Sequence, residues 1–122
     1  MITKVLVGTD GSTTARVAVA RAAEVAANAG AELTILSAGR HSEQVAKEAA
    51  AEHEGAGVAV RALGVGGDPA EALVREAQRG GYDLLVTGNK GLTGLRRLSP
   101  VDRTPGKVVH HLPCNLLVVK TT

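Results

Sequence analysis

Three glycines spaced three residues apart are the first feature of the sequence that could do chemistry. Gly88, Gly91 and Gly94 belong to the run Gly-Asn-Lys-Gly-Leu-Thr-Gly, which directly follows the apolar segment Asp-Leu-Leu-Val-Thr. Because glycine has no Cβ, its backbone N–H groups can approach a phosphate closely. The run predicts a loop that binds an anion. A plain surface loop is the alternative that the spacing leaves open.

Positive charge is concentrated in the same part of the chain. From Lys90 to Lys107 there are five basic residues and a single acidic one, Asp102. Such a segment beside glycine amides and a helix N-terminus suits an anionic ligand, although a solvated basic face has the same composition. The Gly-Lys pair at 106–107 is followed by Val, which excludes a Walker A loop. The Gly-Thr-Asp-Gly run at 8–11 lacks the spacing of the dinucleotide fingerprint.

Alternating strand and helix patterns position these residues. Apolar, β-branched runs predict strands over 2–7, 32–37, 58–63, 83–87 and 115–120. Helical patterns fall over 13–29, 42–54 and 69–79, capped by Ser12 and Asp68, and a loop from Gly88 leads to a short helix over 106–111. Strands separated by helices predict an α/β fold with a parallel sheet covered on both faces.

Ligands of such sheets bind beyond the carboxyl ends of the strands, where the strand order reverses. The residues that follow the predicted strands are therefore candidates for a site. They are Thr9, Asp10 and Gly11; Ser37, Ala38 and Gly39; Gly64, Val65, Gly66 and Gly67; and the residues from Gly88 onward.

The composition excludes several classes of protein. The chain has 122 residues, a formal net charge of +2 and one Tyr without Phe or Trp, so it lacks the basic excess and the stacking platforms of many nucleic-acid binders. Its one cysteine, Cys114, excludes a disulfide framework and a multi-Cys zinc module. The apolar run at the N-terminus is too short for a signal peptide or a membrane span. We expect one cytoplasmic domain over residues 1–122, with neither nucleic acid nor a membrane as partner.

Four segments of the chain, in order, resemble universal stress proteins. They are Val5 to Ser12, Gly67 to Leu73, Tyr82 to Gly94 and His110 to Val119. The resemblance implies an open five-stranded parallel sheet with helices on both faces, a Rossmann-like fold of the adenine nucleotide alpha hydrolase type. It also implies a small regulatory stress-response protein that binds an adenine nucleotide and forms a homodimer through its last strand, Asn115 to Lys120.

The resemblance further implies how the nucleotide is held. It places Asp10 at the ribose or adenine, the backbone near Ala38 at the adenine, and Gly88 and Gly91 at the phosphates. The expected ligand is ATP, AMP or cyclic AMP, with or without Mg²⁺. The full set of predicted binding residues is Thr9, Asp10, Gly11, Ser37, Ala38, Val65, Gly66, Gly88, Asn89, Lys90, Gly91, Gly94, Asp102 and Arg103.

One segment departs from the family's nucleotide-binding pattern. That pattern continues from the second glycine through nine residues to Gly-Ser or Gly-Thr, whereas this chain has Val101-Asp102 or Asp102-Arg103 there. An ionised Asp102 about 4 Å from a phosphate charge costs on the order of 4 kcal/mol at an effective dielectric constant near 20. The alternative is therefore a stress protein with a degenerate site that acts through dimerisation and protein contacts.

Catalytic and metal-binding patterns are weak. Asp10 has no histidine, second acid or nucleophile near it in the sequence, so a dedicated hydrolase is the least supported interpretation, with at most slow hydrolysis of ATP. His110, His111 and Cys114 lie near the predicted end of a helix, where the helix dipole and the following Pro113 account for them. We predict neither catalytic residues nor a metal site.

Overall fold

Strands and helices alternate along the chain. The computed structural model describes residues 1–96 and 112–122. Within them the elements are β1 (Lys4–Gly8), α1 (Thr13–Ala29), β2 (Glu32–Ala38), α2 (Ser42–Ala51), β3 (Ala59–Val65), α3 (Pro69–Gly80), β4 (Leu84–Gly88), α4 (Asn89–Arg96) and β5 (Asn115–Val119).

The five strands form one sheet in the order β3-β2-β1-β4-β5, and every pairing is parallel. This confirms the predicted α/β fold with an open, five-stranded parallel sheet. The order runs outward from β1 in both directions, so it reverses between β1 and β4. A crevice is expected at the carboxyl ends of these two strands.

Helices cover both faces of the sheet. On one face, α1 buries a stripe of small residues that includes Ala18, Ala22 and Ala26 against Val5 and Val7 of β1. On the other face, residues of α3 and α4 pack on the alternate side chains of the same strands, such as Leu6 and Leu85. No helix within residues 1–96 and 112–122 is both long and apolar enough to cross a membrane.

The helix caps are as predicted. Ser12 Oγ accepts a hydrogen bond from the N–H of Ala15 at 3.2 Å, and Gly30 ends α1 in the left-handed conformation with φ 67°. Asp68 Oδ2 accepts from the N–H of Glu71 at 3.0 Å, with Pro69 at the first position of α3. The side chains of Ser12 and Asp68 each accept from an amide N–H that the helix itself leaves without a partner.

The segment after Gly88 is a helix, which corrects the predicted loop. α4 begins at Asn89, immediately after β4, although three glycines lie in or beside it. Its apolar residues explain why it forms: Leu95 is 0% exposed in the core between α3 and the sheet, and Leu92 precedes it at helical spacing. The predicted helix over 106–111 lies outside the described residues.

Asp83 ties the start of β1 to the start of β4. Its Oδ2 atom accepts hydrogen bonds from the N–H of Thr3 at 2.7 Å, the hydroxyl of Thr3 at 2.8 Å and the N–H of Lys4 at 2.9 Å. The backbone N–H of Asp83 donates to the carbonyl of Lys4 at 2.9 Å. The donors on Thr3 and Lys4 stabilise the carboxylate and lower the pKa of Asp83 below its ordinary value.

We predict that Asp83→Asn lowers the thermal unfolding midpoint at pH 7, because the three donors lose an ionised acceptor. Since folding lowers this pKa, the stabilisation is present above the unfolded-state pKa near 3.8 and is lost as the pH falls through the folded value. The difference between wild type and variant should therefore shrink between pH 5 and the lowest pH at which the protein stays folded. A difference that is constant with pH contradicts this assignment.

Gly64 allows α2 to contact β3 closely. A Cβ at this position would lie 2.5 Å from both the Cα and the backbone N of Glu43, at the start of α2. Gly66, just after the strand, has nothing within 4 Å of the corresponding position and provides a matched control.

Gly64→Ala should destabilise the protein by about 1–3 kcal/mol, because backbone atoms must shift to accommodate the methyl group. Gly66→Ala should change stability by less than about 0.5 kcal/mol. Urea unfolding of both variants measures the two effects. Equal midpoints for the two variants would show that α2 moves aside freely.

Candidate functional site

A cleft of about 330 Å³ opens at the carboxyl ends of β1 and β4, where the strand order reverses. Residues from both faces of the sheet and from the chain after β5 form its walls. They are Gly8, Thr9, Asp10, Ser12, Thr14, Ala15, Ala18, Leu36, Ala38, Pro69, Leu73, Thr87, Gly88, Lys90, Gly91 and Thr121. The volume lies at the lower end of the range for small-molecule sites, about 300–1,000 Å³.

Two short turns hold Asp10 at the mouth of the cleft. The N–H of Gly11 donates to Thr9 Oγ1 at 3.1 Å, and the N–H of Ser12 donates to Asp10 Oδ1 at 2.9 Å. Gly11 has φ 82°, a backbone conformation that residues other than glycine rarely adopt. The backbone of the β1–α1 connection therefore orients the carboxylate at the mouth of the cleft.

Asp10 is ionised at neutral pH. Hydrogen bonds from the hydroxyl and then the backbone N–H of Ser12 lower its pKa below the ordinary value, and the positive charge of Lys90 lowers it further. Partial burial acts in the opposite direction but does not prevail. The cleft thus carries a negative charge on the β1 side and a positive charge on the α4 side.

One half of the cleft is polar and suited to an anion. The first turns of α1 and α4 both border it, through Thr14 and Ala15 of α1 and Lys90 and Gly91 of α4. Neither first turn contains an acidic residue, so no carboxylate of the helix itself offsets the partial positive charge of either N-terminus. N–H groups in the first turns of both helices and the ammonium of Lys90 can donate to anionic oxygens.

The other half of the cleft is apolar. Leu36 and Ala38 of β2 contribute one wall, and Pro69 and Leu73 of α3 contribute another. Gly8 brings α3 close to β1, because a Cβ there would lie 2.8 Å from Leu73 Cδ1. A flat aromatic or aliphatic group fits such a surface better than a charged one.

The chain after β5 completes the polar wall. Asn89 Oδ1 accepts from the N–H and the hydroxyl of Thr121, both at 2.9 Å, and Asn89 Nδ2 donates to Thr122 Oγ1 at 2.9 Å. Thr121 is thereby held against Gly88 at the edge of the cleft, where its Cγ2 would lie 3.3 Å from a Cβ on that glycine. The side chain of Asn89 fastens this segment and does not line the cleft.

Comparison with known proteins identifies the family. The sequence profile of the universal stress protein family matches residues 1–46 and 37–120. The chain belongs to the universal stress protein family. No curated protein sequence gives a significant match to the chain.

Other solved structures share the fold. A universal stress protein crystallised in complex with cAMP is 33% identical, with a TM-score of 0.78 over 99% of this chain and 98% of that one. A protein from Mycobacterium tuberculosis H37Rv is 38% identical, with a TM-score of 0.64 over 72% of this chain and 71% of that one. A family protein from Arabidopsis thaliana with AMP bound is 22% identical and shows the fold alone, with a TM-score of 0.70 over 97% and 91% of the two chains.

The structure brings part of the predicted site together. Six predicted residues line the cleft, namely Thr9, Asp10, Ala38, Gly88, Lys90 and Gly91. Gly11, Ser37, Val65, Gly66, Asn89 and Gly94 do not line it: Ser37, for example, is buried, and the carbonyl of Val65 accepts from Ser42 Oγ at 3.0 Å. Asp102 and Arg103 lie outside the described residues.

Sequence analysis missed most of the wall residues. The wall residues in the first turn of α1 could have been predicted. Ser12 was already a predicted helix cap, and the turn that follows it must lie at the carboxyl end of β1. Leu73 and Thr121 carry no local signal, since only the packing of α3 on β1 and the β4–β5 pairing bring them here.

Within the described residues no three His, Cys, Asp or Glu side chains are grouped to hold a metal ion. Cys114 is half-buried, and burial raises the pKa of its thiol.

The two glycines of α4 have different surroundings. A Cβ on Gly91 would collide with Thr87 Oγ1, whereas a Cβ on Gly94 would lie 3.7 Å from Ala70 Cβ, an ordinary van der Waals contact. Gly91 is therefore required for the packing of α4 on β4. A substitution at Gly91 tests this packing, and Lys90 is the better probe of ligand binding.

Gly91→Ala should lower the free energy of unfolding by about 1–3 kcal/mol, since the buried Thr87 must move. Gly94→Ala in the same helix should raise it by up to about 1 kcal/mol, because alanine favours helix over glycine. Denaturant unfolding compares the two variants. If Gly91→Ala is as stable as Gly94→Ala, the Thr87 hydroxyl rotates away at no cost and the steric argument is wrong.

Proposed function

We propose that this universal stress protein binds an adenine mononucleotide in the cleft, as a regulatory ligand. The observation that carries the proposal is the division of the cleft. An apolar half suits a purine, and a polar half bordered by Lys90 and by the N-termini of α1 and α4 suits a phosphate. The cAMP complex of the 33% identical relative supports the same ligand class.

Each wall has a role in this proposal. The adenine packs against Leu36, Ala38 and Leu73, and the ionised Asp10 accepts a hydrogen bond from a ribose hydroxyl. Lys90 and the N–H groups of α1 and α4 donate to the phosphate. The modest volume favours AMP or cyclic AMP over ATP, as does the lack of Gly-Ser or Gly-Thr in the 101–103 segment.

We also propose that two copies associate through β5. This strand forms one edge of the sheet, and Val118 on it is 39% exposed. An apolar edge strand pairs readily with another chain, so it needs a cover. The proposed nucleotide would then bind beside a dimer interface, because Thr121, which borders the cleft, lies just beyond the end of the same strand at Val119.

Isothermal titration calorimetry with AMP, cyclic AMP, ATP and adenosine, with and without Mg²⁺, tests nucleotide binding. Lys90→Ala should weaken the phosphorylated ligands about 10- to 100-fold, the value of a hydrogen bond to a charged group, and leave adenosine nearly unchanged. Asp10→Asn should weaken the binding of all four ligands. Lys47→Ala, which removes an exposed lysine paired with Glu43 on α2, is the control and should have no effect.

The result that contradicts the proposal is the absence of binding heat for every nucleotide at millimolar concentration. That outcome favours a degenerate site and a function carried by protein contacts. Release of phosphate from ATP in proportion to protein, lost in the Lys90 variant, would instead indicate hydrolysis.

A further inference from the structure

A second groove lies along the β3 edge of the sheet, opposite to the edge formed by β5. Its apolar floor is formed by Leu36, Leu63, Val65 and Ala72, and its rim by three residues of α3, namely Arg75, Glu76 and Arg79. The volume is about 190 Å³. We call it the β3 groove. Only Leu36 also borders the nucleotide cleft.

The backbone beside this groove is open for pairing. β3 is the edge strand, and the carbonyl of Val65 accepts from the N–H of Gly39 at 2.9 Å, so Val65 turns its backbone groups toward β2. Backbone direction alternates along a strand. Val60, Ala62 and Gly64 therefore turn their N–H and C=O groups outward, and within residues 1–96 and 112–122 no backbone group of a turn or loop bonds to them.

Positive charge surrounds the groove. Arg61 shares a strand face with Leu63 and Val65, and its charge reaches the hydroxyl of Tyr82, where it opposes the rise in pKa that burial causes. Arg75 and Arg79 lie on the α3 side. Glu32 of β2 lies on the same face of the sheet, but it is in register with Ala59, at the end of β3 that is far from the groove.

The acidic residue on the rim is already engaged. Glu76 is 6% exposed, and its Oε1 accepts from Arg79 Nε at 3.0 Å and Arg79 Nη2 at 2.6 Å. Its Oε2 accepts from the hydroxyl of Tyr82 at 2.8 Å. Arg61 and Arg75 form no ion pair in the part of the chain that the structure describes, so their charges are available to a partner.

The charges argue against a second copy of this chain as the occupant. Antiparallel pairing of two β3 edges about a two-fold axis would place the same faces of both sheets side by side. The arginines of one copy would then lie next to those of the other, which is unfavourable. An acidic partner has the complementary charge.

We infer that β3 accepts an extended acidic peptide as a sixth strand of the sheet. Main-chain hydrogen bonds form with Val60, Ala62 and Gly64, apolar side chains of the peptide fill the β3 groove, and its carboxylates pair with Arg61 and Arg75. Strand addition of this kind takes its affinity from the main chain and its specificity from alternate side chains.

A labelled octapeptide, Thr-Glu-Thr-Val-Thr-Glu-Thr-Val, tests the inference, because its Glu and Val residues share one face of a strand. Its binding to the full chain is measured by fluorescence anisotropy, and amide hydrogen exchange locates the contact. The amides of Val60, Ala62 and Gly64 should exchange rapidly in the free protein and become protected when the peptide is bound. The same peptide with Lys in place of Glu should bind at least tenfold more weakly.

Charge variants provide the second measurement. Arg61→Gln and Arg75→Gln should each weaken binding about two- to fivefold, as expected for partly exposed ion pairs. Arg21→Gln, which removes an exposed arginine of α1 on the other face of the sheet, is the matched control and should bind like wild type. Lys90→Ala should also leave peptide binding unchanged, which separates this inference from the proposed nucleotide site.

Three results would overturn the inference. One is equal binding of the acidic and basic peptides. Another is peptide binding without protection of the outward β3 amides. The third is protection of these amides at high protein concentration without peptide, which would identify a second copy of the chain as the occupant.

Discussion

The site depends on the reversal of strand order at β1. From β1 the chain proceeds outward through β2 to β3, returns across the sheet to β4 and then continues to β5 on the other side. Because parallel crossovers are right-handed, α1 and α2 cover one face and α3 and α4 the other. The helices that follow β1 and β4 therefore diverge, and the space between their first turns is the cleft.

Small side chains make this arrangement compact. The face of α1 against the sheet consists largely of alanine, and β1 is completely buried at Val5, Leu6 and Val7. Since the chain has no Phe or Trp, the core consists of many van der Waals contacts between small side chains rather than a few contacts between large ones. Glycines extend the same principle to places where backbones meet, as Gly64 does for α2 and Gly91 for α4.

The sequence predicted the fold and the starts of α1 and α3 because those features depend on local chemistry. The helix predicted over 42–54 ends earlier, since α2 spans Ser42–Ala51. Ser12 and Asp68 are caps with side-chain acceptors at the right distance from a free amide, and such a signal is complete within four residues. The position of the cleft followed from the strand–helix alternation and one general rule about parallel sheets. Six of its residues, among them Asp10 and Lys90, were predicted for this reason.

The remaining features depend on tertiary contacts. α4 was missed because Gly91 and Gly94 lower its helix propensity, and the burial of Leu95, which offsets that cost, is not visible locally. Asn89 was predicted as a nucleotide-binding residue, and the structure adds a role that the sequence did not indicate, since its side-chain amide bonds to a segment 32 residues away. A side chain that bonds across two strands cannot be assigned a partner from its neighbours in sequence.

Asn89 also joins two parts of the molecule mechanically. It is the first residue of α4, directly before Lys90, and it grips the backbone that leaves β5. The hydrogen bonds of Asn89 therefore set the distance between the end of β5 and the start of α4, and the ammonium of Lys90 takes its place beside the cleft from the same contact.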